Sequence, residues 1–418
     1  MITTVTNFVR RSPLYVGWIM FLAVLVGIGV YSIVYVLANG LGVTSLTNQL
    51  PWGLWITVDL SAIALGAGAF TLSAAVYVFG LKRYEAIARA AVVVGLLGYT
   101  SAMIALFVDI GRPDRFYHPL IYWNLPSLRW EITMCVILYS TVLVMEVGAI
   151  VIESTALRNN RILHTIARVL HRIMPLFALI GMGLSLLHQS SLGATYGVLM
   201  ARPVWYSPSA PVLFILSAVA SGLAATIALT ALTGTALNKF LLPRDVLRGL
   251  TRFAGIMALA YLYLKIWSWA ATQYYSHSPA VIRDIELLGA LVPAIIFLWP
   301  RTRGNRLALI VAGALSVLGL VTYRWNMTLS GLVVPLDWSP GVADVLAINH
   351  YTPAAIEWGV AIGIVGYWWL AWSLAARFLK LYPYARNPGD PEPEIEHEAH
   401  HAAPVVPEPH EPAPAAGD

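Results

Sequence analysis

The chain has 418 residues, of which 58% are hydrophobic and only 11% charged, with a mean hydropathy of +0.71. A soluble protein is about a quarter charged, so a water-facing globule is excluded and an integral membrane protein is left. The single cysteine, Cys135, excludes a disulfide framework, a four-cysteine iron–sulfur site and a CxxCH haem attachment. Any redox centre other than a diffusible one then has to sit on a partner.

Ten apolar stretches, bounded by charges or Pro/Gly clusters, each come near the ~20 residues that a bilayer-spanning helix needs. They run 14–38, 52–80, 88–109, 130–152, 173–190, 211–237, 254–275, 286–300, 306–324 and 354–378. The fifth and eighth are short, which predicts tilting, kinking or misplaced ends. Trp and Tyr gather at the span ends, among them Trp52, Trp55, Trp123, Trp205, Tyr206 and Trp338, as interfacial belts do. The expected fold is an all-α, polytopic membrane domain of ten helices over residues 1–386. Arg10-Arg11 run into the first span without a signal-peptide cleavage pattern, which reads as a retained helix. Residues 387–418 change to Pro, Ala, Glu and His with no Lys or Arg, an acidic tail expected to be disordered.

Nineteen of the 26 Lys and Arg residues fall in one alternating set of connecting segments. Six fall in the other, Arg112, Arg115, Arg129, Arg202, Arg283 and Arg324, and Lys265 alone lies inside a span. By the positive-inside rule both termini are cytoplasmic, and the basic rim meets anionic membrane lipids.

That orientation sorts the ionisable side chains by depth. Asp59, Asp109, Glu131, His188, Glu286 and Glu357 collect in the outer third, and only Glu146 lies deep toward the cytoplasm. Charges in apolar spans are costly and point to function, although each has a plainer reading. Asp109 and Arg112 can pair to end a helix, Glu131 can be a helix-dipole acid, and Lys265 can neutralise a buried acid. His188, in the polar run Leu187-His188-Gln189-Ser190-Ser191-Leu192-Gly193, reads as ligand-facing rather than as a satisfied core histidine. It is the one histidine clearly inside a span, which excludes a two-haem, bis-histidine cytochrome and argues against a single haem. Gly66-Ala67-Gly68 and Gly181-Met182-Gly183 read as helix-packing contacts rather than nucleotide motifs. An uncharged amphipathic ligand entering from the lipid remains. A quinone fits, since its two carbonyls need proton donors on reduction and histidine titrates in the useful range.

Several segments also resemble the NrfD/PsrC (polysulfide reductase-like) family of quinone-interacting membrane subunits. They are Thr47-Asn48-Gln49-Leu50-Pro51-Trp52-Gly53-Leu54-Trp55, Gly66-Ala67-Gly68-Ala69-Phe70, Asp109-Ile110-Gly111-Arg112-Pro113-Asp114-Arg115, His188 to Gly193, and Tyr323-Arg324-Trp325-Asn326. The likeness covers roughly residues 10–385 and is nearest to the ten-helix HybB-like branch. It implies two related four-helix bundles, helices two to five and six to nine, flanked by helices one and ten. It implies a quinone near the periplasmic face, menaquinone in preference to ubiquinone, with no haem or iron–sulfur cluster and no metal in this chain. The partners it implies are a periplasmic ferredoxin-like iron–sulfur subunit and a large catalytic oxidoreductase subunit, in a prokaryotic cytoplasmic membrane; nucleic acid is not expected.

On this reading His188, Asp59 and Glu131 are the catalytic candidates. His188, Gln189, Asp59, Asp109, Arg112 and Trp55 would hold the quinone, and Glu146 with His164 would begin a proton path from the cytoplasm. The outer loops 110–129, 191–210 and 325–353 would dock the partner. Two rivals are a proton-coupled secondary transporter built on Asp59, Lys265 and Glu146, and a passive anchor of a periplasmic enzyme.

Overall fold

The computed structural model describes residues 13–48, 50–78, 80–200, 204–272, 280–333, 351–388 and 390. The basic residues Arg10 and Arg11, most of the loop 325–353 and nearly all of the acidic tail lie outside the described residues. No hydrocarbon-facing backbone group can turn to water, so a chain this apolar has to satisfy its backbone within helices. The long helices are α1 (Pro13–Asn39), α2 (Leu54–Val78), α3 (Glu85–Asp109), α4 (Leu128–Ser154), α5 (Arg161–Gly197), α6 (Ala210–Ala236), α7 (Arg244–Thr272), α8 (Ala280–Leu298), α9 (Arg306–Trp325) and α10 (Ala355–Phe378). Among the described residues nine segments are long and apolar enough to cross a membrane; α8 instead carries Arg283, Asp284 and Glu286 in its first two turns. The protein is an all-α, polytopic membrane protein.

Local signals set the helix ends. Ser127 accepts from the Trp130 amide at the start of α4. Asn160 accepts from Ile162 and Leu163 at α5, and Asn305 from Leu307 and Ala308 at α9. Each removes an orphan donor of a first turn. The end of α6 is closed by a left-handed Asn238 (φ 49°), with Lys239 N donating to Gly234 O at 2.9 Å and Asn238 N to Thr235 O at 3.2 Å. Paired bonds of this kind satisfy the last carbonyls, and Asn takes the left-handed position at little cost.

Three helices differ from their sequence expectation, for one reason. Helix α5 begins at Arg161, not 173, and runs 37 residues through Pro175 to Gly197. Helix α7 begins at Arg244, not 254, and α8 at Ala280, not 286. Each missing stretch is charged, so the hydropathy pattern ends where the helix does not. At ~1.5 Å per residue α5 is about 55 Å long, well beyond a hydrocarbon core of about 30 Å.

Helices α2–α5 close into one ring of neighbours and α6–α9 into a second. The rings meet where α2 and α5 face α6, with α9 against α2; α1 pairs with α10, and α10 leans on α3. Bare glycines make the seam possible: a Cβ on Gly68 would overlap the Ala218 carbonyl, and one on Gly222 would stand 2.6 Å from Gly68 Cα. Helices in lipid gain their association from such close backbone approach. Beyond Trp325, α9 continues as a π-turn, Asn326–Ser330, with all five residues buried.

Gly222→Val should therefore lower the melting temperature of the detergent-solubilised protein clearly, overpacking costing about 1–3 kcal/mol. Gly183→Ala, where an added Cβ meets nothing within 4 Å, should leave it in place. Equal effects of the two would refute this account of the seam.

Candidate functional site

The polar turn of α5 lies inside the protein. His188 and Gln189 are fully buried, more than two turns short of the helix end. His188 Nδ1 is 3.2 Å from the Tyr99 hydroxyl on α3. That phenol fits because α2 offers no side chain there: a Cβ on Gly66 would lie 3.0 Å from the Tyr99 ring. Asp59 on α2 is buried and lies within electrostatic reach of Tyr99, Tyr196 and Asp109. Glu131 Oε1 accepts from Ser191 Oγ at 2.7 Å, tying the start of α4 to α5 one turn beyond His188.

The remaining expected residues point elsewhere. Trp55 is buried but donates its indole N–H to the Glu357 carbonyl at 3.0 Å, so it fastens α2 to α10. Glu357 in turn accepts from the Tyr351 hydroxyl at 2.8 Å and from Ala354 N at 2.6 Å. Asp109 lies within electrostatic reach of this group. Arg112 does not pair with Asp109 and does not reach the α5 turn. It is exposed and donates to both oxygens of Asp114 at 3.0 Å, holding that carboxyl below the usual carboxylate range. Glu146 is buried with neither oxygen hydrogen-bonded among the described residues. His164 sits on the exposed start of α5 beside Arg168, 3.2 Å from it, so no direct bond joins these two.

The second ring contributes what the sequence reading missed. Arg324, counted there as an outer-loop cation, is completely buried in the last turn of α9. Its Nη2 donates to Ser217 Oγ at 3.0 Å, to the Phe214 carbonyl at 3.3 Å and to Gln189 Oε1 at 3.4 Å. Its guanidinium lies 3.6 Å over the Phe214 ring, the electron-rich face a desolvated cation seeks. Arg324 thus joins the second ring to the α5 turn of the first. The sequence held a partial signal: no Pro or Gly follows Arg324 before Gly331, so the helix can run on through Trp325-Asn326-Met327-Thr328-Leu329. Behind it, Lys265 Nζ is 2.9 Å from Glu286 Oε2 and 3.7 Å over the Tyr323 ring. Asn326 Nδ2 donates to the other Glu286 oxygen at 3.0 Å. The expected neutralising role of Lys265 is what its geometry gives.

The seam is walled by rings: Trp52 and Tyr196 lie 5.8 Å apart, Tyr196 and Trp205 5.5 Å, and Phe214 and Tyr323 5.6 Å. Among the side-chain atoms of the described residues that are buried without a hydrogen-bond partner, six belong to the expected site residues and Arg324: Asp59 Oδ1, Asp109 Oδ1, His188 Nε2, Gln189 Nε2, and Arg324 Nε and Nη1. Each would cost about 1–3 kcal/mol if never met, and folded proteins keep such atoms few. Gln189 and Arg324 offer donors, His188 Nε2 is a donor when Nδ1 accepts from Tyr99, and Asp59 offers an acceptor, beside a flat aromatic wall. Such a place suits a planar, largely apolar molecule with carbonyl oxygens. Among the described residues no group of three or more His, Cys, Asp or Glu is placed to hold a metal ion.

Known proteins bear on this geometry. The family described as polysulphide reductase, NrfD, matches residues 42–335. The chain is 34% identical to the menaquinone reductase integral membrane subunit of Nitratidesulfovibrio vulgaris, covering 88% of this chain and 92% of that one. It is 25% identical to the Hdr-like menaquinol oxidoreductase integral membrane subunit of Archaeoglobus fulgidus, covering 88% and 94%. To the probable Ni/Fe-hydrogenase 2 b-type cytochrome subunit of Escherichia coli it is 26% identical, covering 87% and 92%.

The buried ion pair yields a test. Lys265→Met alone strands Glu286 and should destabilise the protein by about 3–5 kcal/mol. Adding Glu286→Gln, which keeps the acceptor for Asn326, should recover most of that loss in thermal unfolding. A double variant as unstable as the single would show that the pair is not what holds these residues.

Proposed function

The chain belongs to the NrfD family, and on that premise we propose that it is the quinone-binding membrane subunit of a respiratory oxidoreductase complex. The observation that carries the reading is the set of unmatched buried donors on His188, Gln189 and Arg324, set beside Asp59 and the aromatic wall. A bound quinone would supply two-electron, two-proton chemistry. His188 Nε2, Gln189 Nε2 and the Arg324 guanidinium would donate to its carbonyl oxygens, and Phe214 and Tyr196 would flank its ring. Asp59, close to the Tyr99–His188 pair, would exchange protons with the site, and Glu131 would carry them outward through Ser191. Arg112 and Trp55 would act at a distance, shaping the outer turn and the α2–α10 contact rather than touching the ligand.

The names of the relatives from N. vulgaris and A. fulgidus favour menaquinone. The name of the E. coli relative includes a cytochrome; the present chain is proposed to work without haem, His188 being the one buried imidazole among the described residues. Electrons would pass to or from an iron–sulfur partner on the outer side. A surface suited to docking it lies in the α3–α4 connection, where Phe116, Ile121, Tyr122, Trp123 and Leu125 are each more than 60% exposed. Both termini are proposed to be cytoplasmic on the Lys/Arg bias. Glu146, buried and unmatched, would serve a proton path from that side. The transporter alternative asked Lys265 to share a path with Asp59 and Glu146; the Lys265–Glu286 bond speaks against it.

In the assembled complex, His188→Ala should weaken a quinone-site inhibitor about tenfold or more, the equivalent of one good hydrogen bond, and slow quinone turnover. Unchanged affinity and turnover would remove His188 from the site. Glu146→Gln should spare electron transfer and abolish membrane-potential generation, and a retained potential would rule out the proton path.

A further inference from the structure

At the opposite end of the second ring, away from the seam, a cavity of about 450 Å³ opens among the ends of α6 and α8 and the starts of α7 and α9. Its volume falls within the range of roughly 300–1,000 Å³ that small-molecule sites occupy. Among the described residues five basic side chains line it, Lys239, Arg244, Arg248, Arg303 and Arg306, and no acidic one does. Its inner wall is apolar, with Ile227, Leu242 and Leu309. A cavity with an all-cationic mouth and a greasy wall, at the ends of membrane-spanning helices, has the polarity of a phosphate ester attached to a hydrocarbon.

The fold holds the cations in place. The left-handed Asn238 turns the chain so that Lys239 follows directly on the end of α6. Arg306 donates to the carbonyls of Gly234 at 3.2 Å and Lys239 at 2.9 Å, which neutralises the electronegative end of α6. The first two turns of α7 and the first of α9, both long helices, carry Arg244, Arg248 and Arg306 and bring their positive dipole ends to the same mouth. Phe240 lies under Arg306 at 4.7 Å and under Arg386 at 5.3 Å, so two guanidinium groups are stacked at the rim. Like charges gathered in this way repel unless an anion joins them.

We propose that this cavity is a binding site for a phosphate-bearing anion, either the headgroup of an acidic phospholipid from the adjacent leaflet or a soluble phosphate. Arg248 and Arg303 grip the phosphate, and the apolar wall receives the first part of an acyl chain when the source is lipid. The site is separate from the seam between the rings and does not depend on the reading of that seam. Arg386 pairs its backbone with Phe240, and the sequence after it is acidic with no Lys or Arg, which makes its carboxylates the other anion for the test to separate.

The test uses the full chain in nanodiscs of phosphatidylcholine alone. In one arm phosphatidylglycerol is added to the disc, and in the other inorganic phosphate is added to the buffer; thermal unfolding and native mass spectrometry of retained lipid are read. A rise in melting temperature in the lipid arm, with lipid retained, assigns the site to a headgroup; a rise in the phosphate arm assigns it to a soluble anion. In either case Arg248→Gln with Arg303→Gln should weaken the response about tenfold or more, as loss of charge-assisted bonds does. Lys239→Gln, on an exposed turn, serves if the double variant fails to assemble. A response undiminished by these changes places the anion elsewhere on the rim and overturns the proposal. So does the absence of any response, the result expected if the acidic segment fills the cavity.

Discussion

A guanidinium kept out of water has to be met by acceptors and by electron-rich faces, and Arg324 meets both across the boundary between the two helix rings. Its bonds reach α6 through Phe214 and Ser217 and α5 through Gln189. Because the charge cannot follow α9 to the lipid without losing these partners, it fixes how far the second ring can turn against the first. It also commits one end of Gln189, leaving the amide nitrogen and the neighbouring imidazole of His188 facing a polar, water-poor interior. The chemistry assigned to the seam depends on this one cation.

The packing that allows it is built from the smallest residues. Gly68 and Gly222 let the rings touch backbone to backbone, Gly66 clears space for Tyr99, and Gly29 lies against Gly363 where α1 meets α10. Little area is spent on side chains at these crossings, so the bulky ones, Trp52, Tyr196, Trp205, Phe214 and Tyr323, concentrate at one end of the seam. The result is a molecule with two unlike ends. One holds aromatic rings, buried acids and unmatched donors; the other holds a cationic cavity and the Lys/Arg-rich connections.

Much of the fold was legible in the sequence because bilayer thickness and hydropathy leave few alternatives. The apolar spans fell within a few residues of α1, α2, α3, α4, α6, α9 and α10. The extended starts of α5 and α7 were not legible, since Arg161 to Arg172 and Arg244 to Arg252 read as loop by charge alone while continuous backbone bonding, with an Asn160 cap at α5, carries the helix through them. In the site, His188, Gln189 and Asp59 stood out as polar groups in apolar runs, and the structure buries all three. Arg324 stood out only within the Tyr323-to-Asn326 segment and was counted as an outer cation, because a cation at the end of a hydrophobic stretch looks like a boundary marker. Only tertiary partners on α5 and α6 distinguish a buried arginine from an interfacial one. For the same reason the Asp109–Arg112 turn misled: Arg112 finds its carboxylate two residues onward in Asp114, a choice that side-chain geometry makes and spacing does not.

The central claim, that the seam joining α5 to α9 receives a quinone headgroup, is tested most directly by photolabelling. A quinone bearing a light-activated group on its ring would be crosslinked to the intact complex in lipid and the labelled peptides sequenced. The account predicts label on the segments that carry His188–Gln189 and Arg324–Asn326, competed away by unmodified menaquinone. Competable label confined to the cationic end around Lys239 and Arg303, or to the outer face of α1, would contradict it.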